Sequence, residues 1–220
     1  MKRLISSLLV SFALLTGAAF AQDKLSGKPT AAEMPFVQAV AADLNARFPT
    51  PDAARKAGYL RYTDEDETGA ISYANRHWTS SDAQHPSQLW YDVKGRLLGA
   101  DFSVLQADSL MAPHLFDVDP RRWQKFGAHV HYGLRGPNGT TIYGATGAKA
   151  MAKVSGSVAH PDASALVAAG IAKSVKDVRF VFPFPAIWDL TIWVLPNRDG
   201  AFADANPEVK PAGKTGGMSM

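Results

Sequence analysis

His129 and His131 are the residues whose type and spacing most directly offer chemistry. They fall in a run, Ala128 to Arg135, that reads as a β-strand. Residues two apart on a strand face the same side, so the two imidazoles can converge on one metal ion. The same alternation assigns Val130, Tyr132 and Leu134 to an apolar core side and leaves the histidines toward solvent or a cleft. Zinc or copper suits such a pair and wants a third and fourth ligand. His114 is the first candidate, with His77, His85 and Asp101 as others that only tertiary folding could bring in. The plainer reading is two histidines on a polar sheet face, hydrogen-bonded to neighbours or water.

A second set of candidates is aromatic and basic. Trp78, Trp90 and Tyr91 flank polar loops, where an indole can stack on an apolar or sugar-like ligand. Arg135 could meet the carboxylate of such a ligand, as could Arg76 and Arg179. The competing account is that the aromatic rings fill the core. Asp64 to Gly69 resembles the first half of a calcium loop, but the twelfth position is Asn75, which offers no bidentate carboxylate, so an acidic turn between strands is expected. No G-x-S-x-G, H-E-x-x-H or S-x-x-K nucleophile or zinc motif is present. The glycines and lysine of 144–149 match neither the Walker nor the dinucleotide spacing.

The elements that must position these residues follow from periodicity. Phe36, Val37, Val40, Ala41, Leu44 and Phe48 recur at helical spacing, which predicts an amphipathic helix starting near Pro35. Thr30 and Glu33 have capping-box spacing, but Pro35 would then lie too deep in the helix. Thr50 as N-cap, Pro51 at the first helical position and Gly58 beyond the end predict a short second helix, completing a helical hairpin. Strands are expected over 59–63, 70–78, 88–93, 96–104, 128–135, 140–143, 178–182 and 187–195, with hairpin turns at 92–95 and 136–139. One later helix is expected over 161–174. Pro183 and Pro185 forbid a continuous ladder between the last two strands. In the final strand Trp188, Leu190, Ile192 and Val194 share one face and are assigned to the core. Two helices, a run of antiparallel strands and one later helix make the fold class α+β, with a twisted antiparallel sheet in a single domain over 35–197. Residues 22–34 read as a loose leader and 198–220 as an extended or disordered tail.

Export is the expectation from the first 21 residues. Lys2 and Arg3 precede an apolar stretch, Leu4 to Leu15, and Ala19-Phe20-Ala21 fits a signal-peptidase site, so the mature chain would begin near Gln22. The stretch is shorter than the roughly 20 residues a membrane span needs. Formal charge is +3 over the whole 220 residues, and losing Lys2 and Arg3 leaves 21 basic against 20 acidic residues. That balance gives no electrostatic footprint for nucleic acid or an acidic membrane. There is no cysteine, which removes disulfides, thiolate metal sites and thiol catalysis. With 46% apolar residues, a chain of this size can be held by packing alone.

The leading functional expectation is therefore an exported, periplasmic or secreted, binding protein. Its ligand would be a transition metal or small molecule near His129 and His131. A hydrolase or isomerase, with one of these histidines as general base oriented by Asp101 or Asp117, is the second reading. A cell-envelope interaction module without a small-molecule site is the third.

Overall fold

A computed structural model describes residues 25–75, 77, 82–106, 111–147 and 160–212. The predicted signal segment, the candidate ligand residue Trp78, and Arg76 lie outside them. The fold is α+β, as expected. Helix α1 spans Met34–Arg47 and α2 spans Pro51–Lys56. Strands follow as β1 Leu60–Arg61, β2 Ile71–Ala74, β3 Gln88–Tyr91, β4 Leu97–Leu105, β5 Gln124–Phe126, β6 His129–Arg135 and β7 Thr141–Gly147. Helix α3, Ala163–Ala168, precedes β8, Val178–Phe184, and β9, Ile187–Trp193. No helix among the described residues is long and apolar enough to cross a membrane.

The helical pair is legible in its caps. The Thr50 hydroxyl accepts the Ala53 N–H, and Pro51 occupies the first turn, where a missing N–H costs nothing. The Thr30–Glu33 box does form. The Thr30 N–H donates to Glu33 Oε2 at 2.8 Å and the Glu33 N–H donates to the Thr30 hydroxyl at 3.4 Å. Pro35 is accommodated because residues 31–33 make a separate turn before the helix proper begins at Met34. The later helix is shorter than its periodicity predicts. Gly170 adopts φ +73°, a left-handed conformation that ends it, and the Ile171 N–H turns back onto the Leu166 carbonyl.

The strands divide into two antiparallel sheets instead of one. Six strands run in the order β1-β2-β3-β4-β9-β5, and three in the order β7-β6-β8. The chain changes sheet at Pro185 and Ala186, between β8 and β9, where proline interrupts the ladder. Pro183 itself is tolerated inside β8 because that strand is at an edge, paired only with β6.

Alternation along β4 and β9 gives the large sheet two different faces. One carries Ala100, Phe102, Leu190, Ile192 and Val194, and packs with Val40 and Leu44 of α1 as the main core. Trp188 joins that core from its margin, so the face assignment for 187–195 is correct. The other face carries Gln88, Asp101, Ser103, Asp189 and Thr191, and most of it is buried as well. In the small sheet, Val130, Tyr132, Leu134, Val178 and Val181 pack against Ala165 and Leu166 of α3. Its opposite side sends Phe182 and Phe184 against Tyr62, Ala74 and Ile187 of the large-sheet region.

Ordered contacts extend beyond 35–197. Arg122, in a short helical turn at Pro120–Arg122, reaches the carbonyls of Ser26 and Lys28 and makes a bidentate pair with Glu33. Its guanidinium lies over the Phe202 ring, 4.5 Å from the centroid. The Phe202 N–H donates to the Gly27 carbonyl, and Asn206 and Val209 are buried. The segments read as a leader and a tail thus meet where Gly27 packs on 199–203, while Val209 and Ala212 reach Gly69 and Glu65.

Candidate functional site

Strand β6 places both histidines on the side of the small sheet that faces the large one. Opposite each, across the β6–β8 ladder, stands a phenylalanine: His129 pairs with Phe184 and His131 with Phe182. The rings stack, His129 on Phe184 at 5.2 Å between centroids and His131 on Phe182 at 5.7 Å. Tyr62 closes the pocket with its ring edge-on, 4.4 Å from His131. Of the two expected settings, solvent or a cleft, the pair takes the covered one. The small sheet is covered on both faces, so His131 is only 5% exposed and His129 half-buried.

Gly133 continues this face and lies under the Phe180 ring. A Cβ there would fall 2.3 Å from Phe180 Cε1. Gly133→Ala is expected to push Phe180 out of place and cost about 1–3 kcal/mol by overpacking, measured by thermal unfolding.

The hydrogen bonds fix the tautomers. His129 Nδ1 lies 2.8 Å from the Gly127 carbonyl, which can only accept, so this nitrogen carries the hydrogen. In the neutral ring His129 Nε2 then presents a lone pair. His131 Nε2 stands 3.0 Å from it and must be the donor. That leaves His131 Nδ1 as a lone pair, buried and without a partner among the described residues. Burial, reinforced by the neighbouring His129, pushes the His131 imidazole down to about 3, so it is neutral at any ordinary pH.

The other sequence candidates do not join the pair. His114 is exposed, and among the described residues no group of three or more His, Cys, Asp or Glu side chains gathers where it could hold a metal ion. His85 is engaged with Asp82, and His77 is exposed. Arg135 is at the far end of β6, exposed, and donates to the Lys176 carbonyl. Trp90 is half-buried on the large sheet, where its indole donates to Asp101 and its ring meets Trp193 edge-on at 5.6 Å. Asp117 is exposed, with φ +55°. Asp101 spends its oxygens on Thr191 and Trp90. Neither imidazole therefore has a carboxylate partner among the described residues.

Residues the sequence reading passed over complete the surroundings. The Tyr62 hydroxyl donates to Gln88 Oε1, and Gln88 is the ladder neighbour of Asp101. Burial, with the nearby Asp101 charge, pushes the Tyr62 phenol well above its ordinary value. Tyr62 thus links the histidine pocket to a buried polar row on the large sheet. The readable signal was alternation: Phe180, Phe182 and Phe184 share one face, which predicts an apolar partner for that side of the sheet.

Comparison of the chain with protein-family models, with curated proteins and with solved structures gave no match.

Proposed function

We propose that the protein is an exported binding protein for a transition-metal ion of the zinc or copper class, held by Nε2 of His129 and Nε2 of His131. The observation that carries this reading is the 3.0 Å separation of the two nitrogens. With metal–nitrogen bonds of about 2.0–2.1 Å, that separation corresponds to a ligand–metal–ligand angle of about 90–95°, narrower than the tetrahedral arrangement of zinc and nearer the square arrangement of copper. Burial helps by keeping His131 unprotonated, since only the neutral imidazole is a ligand. On binding, the His131 hydrogen moves from Nε2 to Nδ1. Two protein ligands leave further positions open to water or a small molecule, and the aromatic walls of Phe182, Phe184 and Tyr62 favour an apolar or planar one. The lack of a carboxylate beside either ring among the described residues favours binding over general-base catalysis.

The test uses the mature chain, purified without a histidine tag from the periplasmic or secreted fraction. Its N-terminus is expected near Gln22. Titration with zinc or copper should give one ion per chain and raise the thermal midpoint, and His129→Ala/His131→Ala should bind none. Unchanged thermal stability on adding either metal, with no stoichiometric uptake, would overturn the proposal.

A further inference from the structure

The row of polar side chains beneath Tyr62 contains an acid pair that the metal site does not use. Asp101 of β4 and Asp189 of β9 project from the same face of neighbouring strands, in register with Thr191 and Ser103. Each is only 5% exposed. Asp101 accepts from the Thr191 hydroxyl at 2.7 Å and from the Trp90 indole at 2.9 Å. Asp189 accepts from the Ser103 hydroxyl at 2.6 Å, and that hydroxyl also meets Ser87 Oγ at 2.6 Å. The two carboxyl groups are diagonal neighbours on this face of the adjacent strands, and a charge on Asp189 opposes one on Asp101. Buried together and accepting only from neutral donors, they are costly to ionise both at once, so the favoured state keeps a proton on the pair. Among the described residues no cation pairs with either group. A proton does the neutralising that an arginine would do elsewhere.

We infer that Asp101 and Asp189 form a proton-binding site built into the junction of the two sheets, and that loss of its protons loosens this junction. The inference is independent of metal binding. The titratable groups facing the pair from the packed elements are Tyr62 and, beyond it, Asp66, with His131 and His129 on the small sheet meeting the Tyr62 side. Tyr62 and Asp66 supply no positive charge, and neither does the neutral His131. A second negative charge in this row would therefore meet only dipoles, under a roof of Tyr62, Phe182, Phe184 and Ile187.

The direction of the pH effect follows from burial. Burial raises the Asp189 carboxyl to about 6 despite its hydrogen bond from Ser103. It raises Asp101 well above the usual range, with the Asp189 charge adding to it. Unfolded aspartate ionises near pH 4. Between about pH 4 and 6 the folded pair thus holds more protons than the unfolded chain, and stability falls as pH rises through that window. Asp101 continues the fall above it. His131 acts in the opposite sense, because the unfolded imidazole takes a proton below about 6.5 and the folded one only near 3. The pair is therefore read as a difference between wild type and variant.

Urea unfolding of the metal-free mature chain at pH 4.5, 6 and 8, with Asp189→Asn alongside, measures that difference. The amide keeps an acceptor for Ser103 and cannot ionise. The ratio of unfolding constants, wild type over variant, is expected to rise roughly thirtyfold from pH 4.5 to pH 8, most of what a shift of about two pKa units supplies. Infrared spectra of the wild type at pH 7.5 should show the C=O stretch of a protonated carboxylic acid, lost in Asp101→Asn. Amide exchange in β6 and β8, corrected for intrinsic rates, should quicken at pH 9. A ratio flat with pH, or no protonated-acid band in the folded wild type, overturns the inference. The infrared arm decides the matter even if a variant fails to fold.

Discussion

Arg122→Ala is expected to lower the free energy of unfolding by about 3–5 kcal/mol, the range seen when one partner of a buried ion pair is removed. Glu33 is 1% exposed, and Arg122 meets it through Nε and Nη2 at 3.1 and 3.0 Å. Burial alone would raise the Glu33 carboxyl. Hydrogen bonds from Arg122 and from the Thr30 and Asp119 N–H groups outweigh it and hold the group at about 2. Without the guanidinium, burial loses its main opponent, and a negative charge sits in the packed start of α1. The Ser26 and Lys28 carbonyls lose their donor, and Phe202 loses the cation above its ring. The thermal midpoint should fall by about 6–20 °C for a chain of this size. The pH dependence separates a lost charge pair from lost packing. The stability that Glu33 supplies is present above about pH 4 and disappears as pH falls toward 2. The Arg122→Ala deficit should therefore shrink as pH falls from about 4 toward 2. A deficit below 1 kcal/mol, or one constant from about pH 2.5 to 7, would show that the pair does not hold the two ends of the chain.

How much of this was legible in the sequence depends on the range of the interaction that decides each feature. Thr50 and Pro51 act within one turn, so α2 is predictable from six residues. The hairpin turns at 92–95 and 136–139 are equally local, with Asp92 Oδ1 accepting the Lys94 and Arg96 N–H groups and Gly136 closing onto Thr140. The division into two sheets is decided by pairing across long stretches of chain: β4 finds β9, and β5, only three residues with polar Gln124 and Lys125, docks on the edge of β9. Nothing in a short polar run announces such an edge. The candidate site was half legible. Alternation put His129 and His131 together correctly, because spacing along one strand is a covalent fact. It could not say that a second layer covers them, since that depends on β8 delivering Phe182 and Phe184 beside them. Asp101 and Asp189 follow the same logic. In each strand they alternate with Phe102 and Leu190, and a polar face opposite an apolar one reads as solvent-facing until a second sheet covers it.

His131→Phe is expected to abolish metal binding and yet leave the fold as stable as before, or more stable by about 1 kcal/mol. Phenylalanine has nearly the shape of the imidazole and suits a pocket already walled by Tyr62, Phe182 and Phe184. What it removes is a polar ring whose Nδ1 is buried without a partner among the described residues, and an unsatisfied group of this kind costs about 1–3 kcal/mol. The loss on the other side is small, because His129 is only half-buried and water can replace the Nε2 donor it loses. The thermal midpoint should hold or rise by about 2–4 °C. His131→Ala is the contrasting case, since it empties space between two stacked sheets and should destabilise by about 2 kcal/mol or more. On the proposed metal-binding reading, the imidazole is kept for what its nitrogen binds. Uptake of zinc or copper unaltered in His131→Phe would remove His131 from the site. A loss of stability above 1 kcal/mol would instead make it a structural histidine, with its hydrogen bond to His129 as the reason for its presence.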